Sequence, residues 1–241
     1  MSAAGAPAAG RLRAADGRVI PGEVLRRLRR NPLGVVRVGL AIGRGAYYRL
    51  KYRVLGRRVV IGREFRVYGP LDIRGPGTVI FGDRCTVVSS RLAPTTPYTH
   101  APEAVIRFGN DVRLTGTRIG CQERVEVGDG AGLSEARIMD TDFHAVEIPE
   151  SGLRYNTMGQ ARPVVIGRNV WVGVSAIVLK GSRIGDNSVV AAGAVVAQKV
   201  PSDVVVFGNP ARVVWRLGRS GPPPADRDPA SGPRPPDAPP S

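Results

Sequence analysis

The sequence predicts an all-β solenoid, and three observations carry that prediction: an unbroken six-residue period, glycines set directly behind its aliphatic residues, and few aromatic side chains. Ile166, Val172, Val178, Ile184, Val190 and Val196 are spaced by six, and Gly167, Gly173 and Gly185 each follow one of them. A helix repeats at 3.6 residues and a strand at 2, so neither alone sustains a period of six. Six residues make a short strand and a corner. Three such units close a triangular coil of about eighteen residues, which stacks on the next at about 4.8 Å. With 42% hydrophobic but only 5% aromatic residues, the core has to be built from small aliphatics, which suits a narrow prism.

The period defines each element in turn. The aliphatic of each unit faces the prism axis. Four places on, Val170, Ala176, Ser182, Ser188, Ala194 and Val200 are small or branched, as expected of side chains turned inward beside a corner. The glycine behind each aliphatic either relieves crowding or supplies a backbone angle that other residues resist. Upstream the frame continues with slips: Ile61, Val67, Ile73 and Val79 keep it, Phe81-Gly82-Asp83 and Phe108-Gly109-Asn110 restart it, and Val127, Leu133 and Met139 resume it as far as His144. Residues 91–104 and 145–164 break the frame and are expected to be loops extruded from corners, where core stacking is undisturbed. The solenoid is therefore expected over residues 59–214.

Two flanking segments differ in composition. Residues 11–58 hold fourteen Arg or Lys against Asp16 and Glu23, so the net charge of +15 describes an N-terminal arm, residues 1–58, more than the body. Leu25, Leu28, Leu33, Val36, Leu40, Tyr47 and Leu50 lie among these cations, a composition expected of broken amphipathic helices at an anionic membrane surface. Nucleic acid is not an expected partner, since only Tyr47, Tyr48 and Tyr52 accompany the charge and no recognised motif does. Residues 215–241 are proline-rich, balanced in charge from residue 218 onward and poor in apolar residues, and are expected to be disordered.

Cys85 and Cys121 fit neither a disulfide framework nor a metal-ligand spacing, and the chain's histidines are His100 and His144, too few for a three-histidine metal site. No metal is expected. The N-terminus lacks a signal pattern, and the best apolar run, Leu33–Ile42, is interrupted by Arg37 and too short to span a bilayer, so a cytoplasmic protein, peripheral at the membrane through residues 11–58, is expected.

The stretch from Ile166 to Val214, IGRNVWVGVSAIVLKGSRIGDNSVVAAGAVVAQKVPSDVVVFGNPARVV, resembles the hexapeptide-repeat acyltransferases, and most closely their galactoside and maltose O-acetyltransferase branch, over roughly residues 105–215. The resemblance implies a left-handed parallel β-helix, a homotrimer with sites between subunits, and transfer of an acyl group, expected to be acetyl from acetyl-CoA, to a hydroxyl of a sugar, glycan or glycolipid. His144, in IMDTDFH, stands where the family's catalytic histidine precedes an excursion, with Asp142 or Asp140 to set its tautomer. Trp171 and Val174 match positions along the pantetheine arm, Ala192 matches a further donor contact, and Arg212 matches a basic residue near the nucleotide phosphates, with Lys199 nearby. Ala197-Gln198 replaces the Thr-Lys of many relatives, and Leu114-Thr115-Gly116-Thr117 replaces an Asn-containing acceptor segment, so the acceptor stays open. The alternatives are a non-catalytic solenoid scaffold, against which His144 and the donor-side matches argue, and N-acetylation of an amino sugar.

Overall fold

The computed structural model describes residues 32–218 except 149, 151 and 154–156. Among the described residues twenty short strands make a three-sided prism preceded by one helix, a left-handed parallel β-helix opposite in hand to ordinary parallel crossovers. The first side is a seven-stranded parallel sheet of β1 (Val59–Ile61), β3 (Thr78–Phe81), β6 (Val105–Phe108), β9 (Arg124–Val127), β12 (Val164–Ile166), β15 (Arg183–Ile184) and β18 (Lys199–Val200). The second contains β2 (Arg66–Tyr68), β4 (Thr86–Val88), β7 (Arg113–Thr115), β10 (Gly132–Ser134), β13 (Trp171–Val172), β16 (Val189–Val190) and β19 (Val204–Phe207), closed by the antiparallel β20 (Arg212–Arg216). The third holds β5 (Thr96–Thr99), β8 (Arg118–Cys121), β11 (Arg137–Met139), β14 (Ile177–Val178) and β17 (Val195–Val196).

Inside, residues of equal register stack coil on coil. Ile61, Phe81, Phe108, Val127, Ile166, Ile184 and Val200 form one buried column, and Val67, Val87, Leu114, Leu133, Val172, Val190 and Val206 another. All six residues of the strict repeat are buried, as are the six small residues beside the corners. The repeat glycines serve the crowding role. A Cβ on Gly167 would come 2.8 Å from the Asp186 backbone nitrogen, and one on Gly185 2.4 Å from that of Ser202, while neither has a positive φ. The left-handed backbone falls instead two places later on Asn169 (φ 53) and Asn187 (φ 59), a residue type that tolerates it.

Several expectations are corrected by the register. Met139 does not face the axis; Ile138, one place earlier, is fully buried and pairs with Ile119 and Val178. Ile61 stacks on Phe81 and not on Val79, because the first coil is two residues longer than the period. Val200 takes the axial position over Ile184, sixteen residues on, so the last coil is two residues short. Residues 91–104 are not a single extruded loop: β5 lies within them as the first full strand of the third sheet, with Pro97 turned inward beside Ile119. β20 extends through Arg216, into the segment expected to be tail. The remaining tail and residues 1–31 of the arm lie outside the described residues.

The described part of the arm is one unbroken helix, α1 (Pro32–Val54), and not a series of broken ones. Its Ala41, Gly45 and Tyr52 face the first coil, where the N–H groups of Leu71 and Ile73 donate to the hydroxyl oxygens of Tyr48 and Tyr52, each at 3.2 Å. Gly45 marks the crossing point, since a Cβ there would collide with the Phe65 carbonyl oxygen. Its exposed residues Leu33, Val36, Leu40, Tyr47, Leu50 and Val54 follow a heptad spacing broken only at Gly43. Among the described residues no helix is long and apolar enough to cross a membrane.

Candidate active site

His144 leaves the prism at the corner where the third sheet turns toward the first. β11 ends at Met139, and Asp140 turns inward, fully buried. Its two oxygens accept the backbone N–H groups of Gln122, Glu123 and Arg124 at 2.7, 2.8 and 2.7 Å. That carboxylate is committed to the neighbouring corner and is not placed to orient His144, contrary to one of the two options the sequence offers. The excursion is tied at its neck. The Asp142 N–H donates to the Gln160 carbonyl at 3.2 Å, the Ala145 N–H to that of Thr157 at 2.9 Å, and the Arg162 N–H to that of Asp140 at 2.8 Å. Within this neck the His144 N–H donates to the Asp142 carbonyl at 2.7 Å, a tight turn that forces Phe143 to φ 62. A non-glycine residue there is strained by about 1–3 kcal/mol. The ring of Phe143 holds it in place, stacking on Tyr98 at 6.3 Å and meeting His100 edge-on at 5.1 Å.

The imidazole of His144 is exposed at this corner. The Asp142 carboxylate pairs with Lys180 Nζ, a residue on the same corner one coil later that sequence reasoning did not single out. Its signal was hidden because the long excursion separates the two by 38 residues. The His100 imidazole is held below its ordinary pKa by burial, and the charge of Asp140 partly opposes this. Burial pushes the Cys85 thiol up to about 11 and that of Cys121 higher still, so neither is a ready nucleophile near neutral pH.

The donor-side candidates lie elsewhere. Trp171 on β13 and Val174 just beyond it are 58% and 43% exposed, at the corner that leads into the third sheet. Ala192 occupies the same corner one coil on: a Cβ on Gly173 would sit 2.7 Å from the Ala192 nitrogen. The N–H groups of Val174 and Ala192 donate to no acceptor among the described residues. Lys199 begins β18, beyond the third sheet, and Arg212 lies on β20, where its Nη1 reaches Gln198 Oε1 at 3.5 Å. Gln198 also donates to the Ala211 carbonyl at 2.9 Å, so the residue that departs from the common Thr-Lys pair anchors the closing turn. Within one chain His144 and the Trp171–Val174–Ala192 group therefore stand at opposite edges of the third sheet.

Between those edges the outer face of the third sheet carries a groove of about 560 Å³ lined by Arg74, Tyr98, Arg118, Gly120, Arg137 and Met139, among others. Gly120 makes the groove passable, because a Cβ there would come within 2.7 Å of the Tyr98 hydroxyl and 2.8 Å of the Phe143 ring. Phe143, which precedes His144, lies against two of the lining residues, Tyr98 and Gly120. Among the described residues no three His, Cys, Asp or Glu side chains gather as a ligand set for a metal ion.

Residues 163–198 match the family described as bacterial transferase hexapeptide (six repeats). Relatives of this chain include the galactoside O-acetyltransferase of Lactococcus lactis, 40% identical over 84 residues (34% of this chain, 38% of that protein), and that of Escherichia coli, 35% identical over 95 residues (39% and 44%). A 2,3,4,5-tetrahydropyridine-2,6-dicarboxylate N-acetyltransferase of Staphylococcus aureus is 48% identical over 54 residues (22% and 23%). This chain spans less than half the length of each of these relatives. Among solved structures, AntD, an N-acyltransferase from Bacillus cereus crystallised with dTDP and 3-hydroxybutyryl-CoA, superposes with a TM-score of 0.54 at 16% identity, covering 71% of this chain and 89% of that one. That likeness is one of fold.

Proposed function

We propose that this protein is an acyl-CoA-dependent acyltransferase that moves an acetyl group from acetyl-CoA to a hydroxyl of a sugar, glycan or glycolipid, with His144 as general base. The observation that carries the reading is the presentation of His144, exposed on a strained and tied turn at one edge of an open groove. The similarity to galactoside O-acetyltransferases supports the donor and the reaction class.

An alcohol is a weak nucleophile and a thioester is already activated, so the protein has to take one proton, hold two substrates together and stabilise an oxyanion. The acceptor oxygen attacks the thioester carbon as its proton passes to His144. The tetrahedral oxyanion takes the free N–H of Val174, a contact worth about 3 kcal/mol. Collapse breaks the carbon–sulfur bond, and the thiolate recovers the proton from His144. Asp142, already paired with Lys180, positions the turn that carries the base. Because His144 and the Val174 corner are at opposite edges of one sheet, this chemistry needs His144 of one copy beside Val174 of another, which is the reason to propose a homotrimer. Trp171 and Ala192 line the pantetheine arm, and Arg212 and Lys199 meet the nucleotide phosphates.

The match to an N-acetyltransferase favours a second acceptor class, an amine such as that of an amino sugar, whose nitrogen would attack the thioester carbon in the same geometry. The test is release of free thiol from acetyl-CoA with a panel of hydroxyl- and amino-bearing sugars. His144→Ala is expected to lower turnover by roughly 10²-fold or more while trimer and acetyl-CoA binding persist. Near-normal turnover by that variant, or trapping of a covalent acyl-enzyme, overturns the reading.

The arm is proposed to hold the enzyme peripherally on the cytoplasmic face of an anionic membrane. The exposed stripe of α1 is flanked by Arg37, Arg44 and Lys51, and the helix carries no acid in its first turn. Deleting α1 would also uncover the first coil, so the cleaner probe is Leu33→Ser with Leu40→Ser, expected to weaken salt-sensitive binding to anionic vesicles. Equal binding by the variant overturns that role.

A further inference from the structure

We propose that Arg118 and Arg137 form an anion site on the outer face of the third sheet, and that it takes a carboxylate or phosphate of the acyl acceptor. The proposal rests on the acyltransferase reading above for the word acceptor, but the site itself stands on separate observations.

Arg118 and Arg137 open two adjacent parallel strands in register, their side chains projecting from the same face one strand spacing apart. Like charges so placed repel, and a sheet normally sets an opposite charge between them. At the corners of this protein arginines do find carboxylates: Arg63 pairs with Asp83, Arg84 with Asp111 and Arg168 with Asp186, at 2.7 to 2.9 Å. In the groove the nearest carboxylate is Asp72, which Arg74 Nε occupies at 2.6 Å. No described side chain makes an ion pair or hydrogen bond with the guanidinium of Arg118 or Arg137. Thr96 continues their row on β5, and Tyr98 stands beside them with its hydroxyl likewise without a partner among the described residues. Burial raises the Tyr98 phenol, and the charges of Arg137 and Arg118 oppose that rise. Two guanidinia and a phenol facing one groove supply the planar, forked donors that carboxylates and phosphates accept. Tyr98, which lines the groove, stacks on Phe143, one residue from His144. An acceptor held by its anionic group at the arginines would extend toward the base.

The test uses the full chain without acetyl-CoA, and saturation-transfer NMR with glucuronate, glucose 6-phosphate and glucose as probes. Stronger transfer to the two anionic sugars than to glucose is expected. The Arg118→Gln/Arg137→Gln variant should lose it by roughly tenfold in affinity, with melting temperature and oligomeric state unchanged. Equal transfer to all three sugars, or undiminished transfer to the variant, overturns the site; so does loss of oligomerisation, which would assign the pair to a contact between copies. In turnover assays the variant should raise KM for the acceptor and leave that for acetyl-CoA unchanged. A rise for acetyl-CoA alone would assign the arginines to the donor's phosphates and overturn the proposal. If wild-type protein binds the anionic sugars through the arginines yet His144→Ala transfers acetyl as fast as wild type, the site stands and the assignment of the base falls.

Discussion

The coils before and after the excursion are built from one pattern but differ in regularity, and the difference bears on the proposed chemistry. From Ile166 onward, axial residues recur every eighteen and then sixteen residues, with two-residue strands from β13 to β18. Before it, successive axial residues from Ile61 through Phe81, Phe108 and Val127 to Ile166 are 20, 27, 19 and 39 residues apart, with longer strands and stacked phenylalanines in the core. A coil that only stacks can be short. The early coils carry Tyr98 and the arginine row on their third-sheet strands, and the excursion adds the turn carrying His144 at that sheet's edge. The regular coils offer the other edge, with exposed Trp171 and free N–H groups at Val174 and Ala192.

The largest expected effect probes the regular half. Gly185→Val places a branched side chain against the Ser202 backbone, where a bare Cβ already sits at 2.4 Å. Because backbone cannot rotate away, a loss of roughly 3 kcal/mol or more is expected, read as a lowered denaturation midpoint. A midpoint within error of wild type would show that the corners are looser than their stacking implies. Asp140→Ala probes the irregular half. It removes the acceptor of three partly buried N–H groups at one corner, and an expected cost of about 1–3 kcal/mol should appear in urea titration. Turnover should fall further than stability accounts for, since the same corner begins the neck of the excursion. Unchanged turnover in the folded variant would uncouple the corner from the base.

An intermediate effect separates groove from core. Gly120→Ala should displace the Tyr98 and Phe143 rings, lowering acyl transfer about tenfold while costing stability little, because the obstructing atoms are side-chain ends. Retained turnover would mean that the ring stack does not hold the base. The smallest effect concerns α1. Alanine exceeds glycine in helix propensity by about 1 kcal/mol, and Gly39 has open space around its Cβ position, so Gly39→Ala should raise the midpoint slightly. Gly45→Ala should lower it, because the new methyl meets the Phe65 carbonyl. Equal signs for the two would show that α1 is not seated on the first coil.

Much of this was legible in the residue order. The strict period of Ile166 to Val196 marks the buried column, since each coil repeats the same environment and selects the same side chain. The early coils were read less well. With coil length varying, a residue such as Met139 can keep the six-residue count and still face outward, while Ile138 beside it fills the core. The strand β5 was missed because Thr96–Thr99 carries a proline and sits in a segment rich in turn residues. Lys180, Tyr98, Arg118 and Arg137 had no local signature; only register brings them beside Asp142 or one another.

The sequence by itself determined the solenoid, its axial residues, the histidine at the excursion and the charge of the arm, because each depends on local spacing or composition. Tertiary structure alone decided which carboxylate is committed to the backbone, which arginines lack one, and that His144 and Val174 stand at opposite edges of one sheet. Those facts depend on the number of residues each coil spends before returning to a face, and that number is fixed by stacking against the coils on either side.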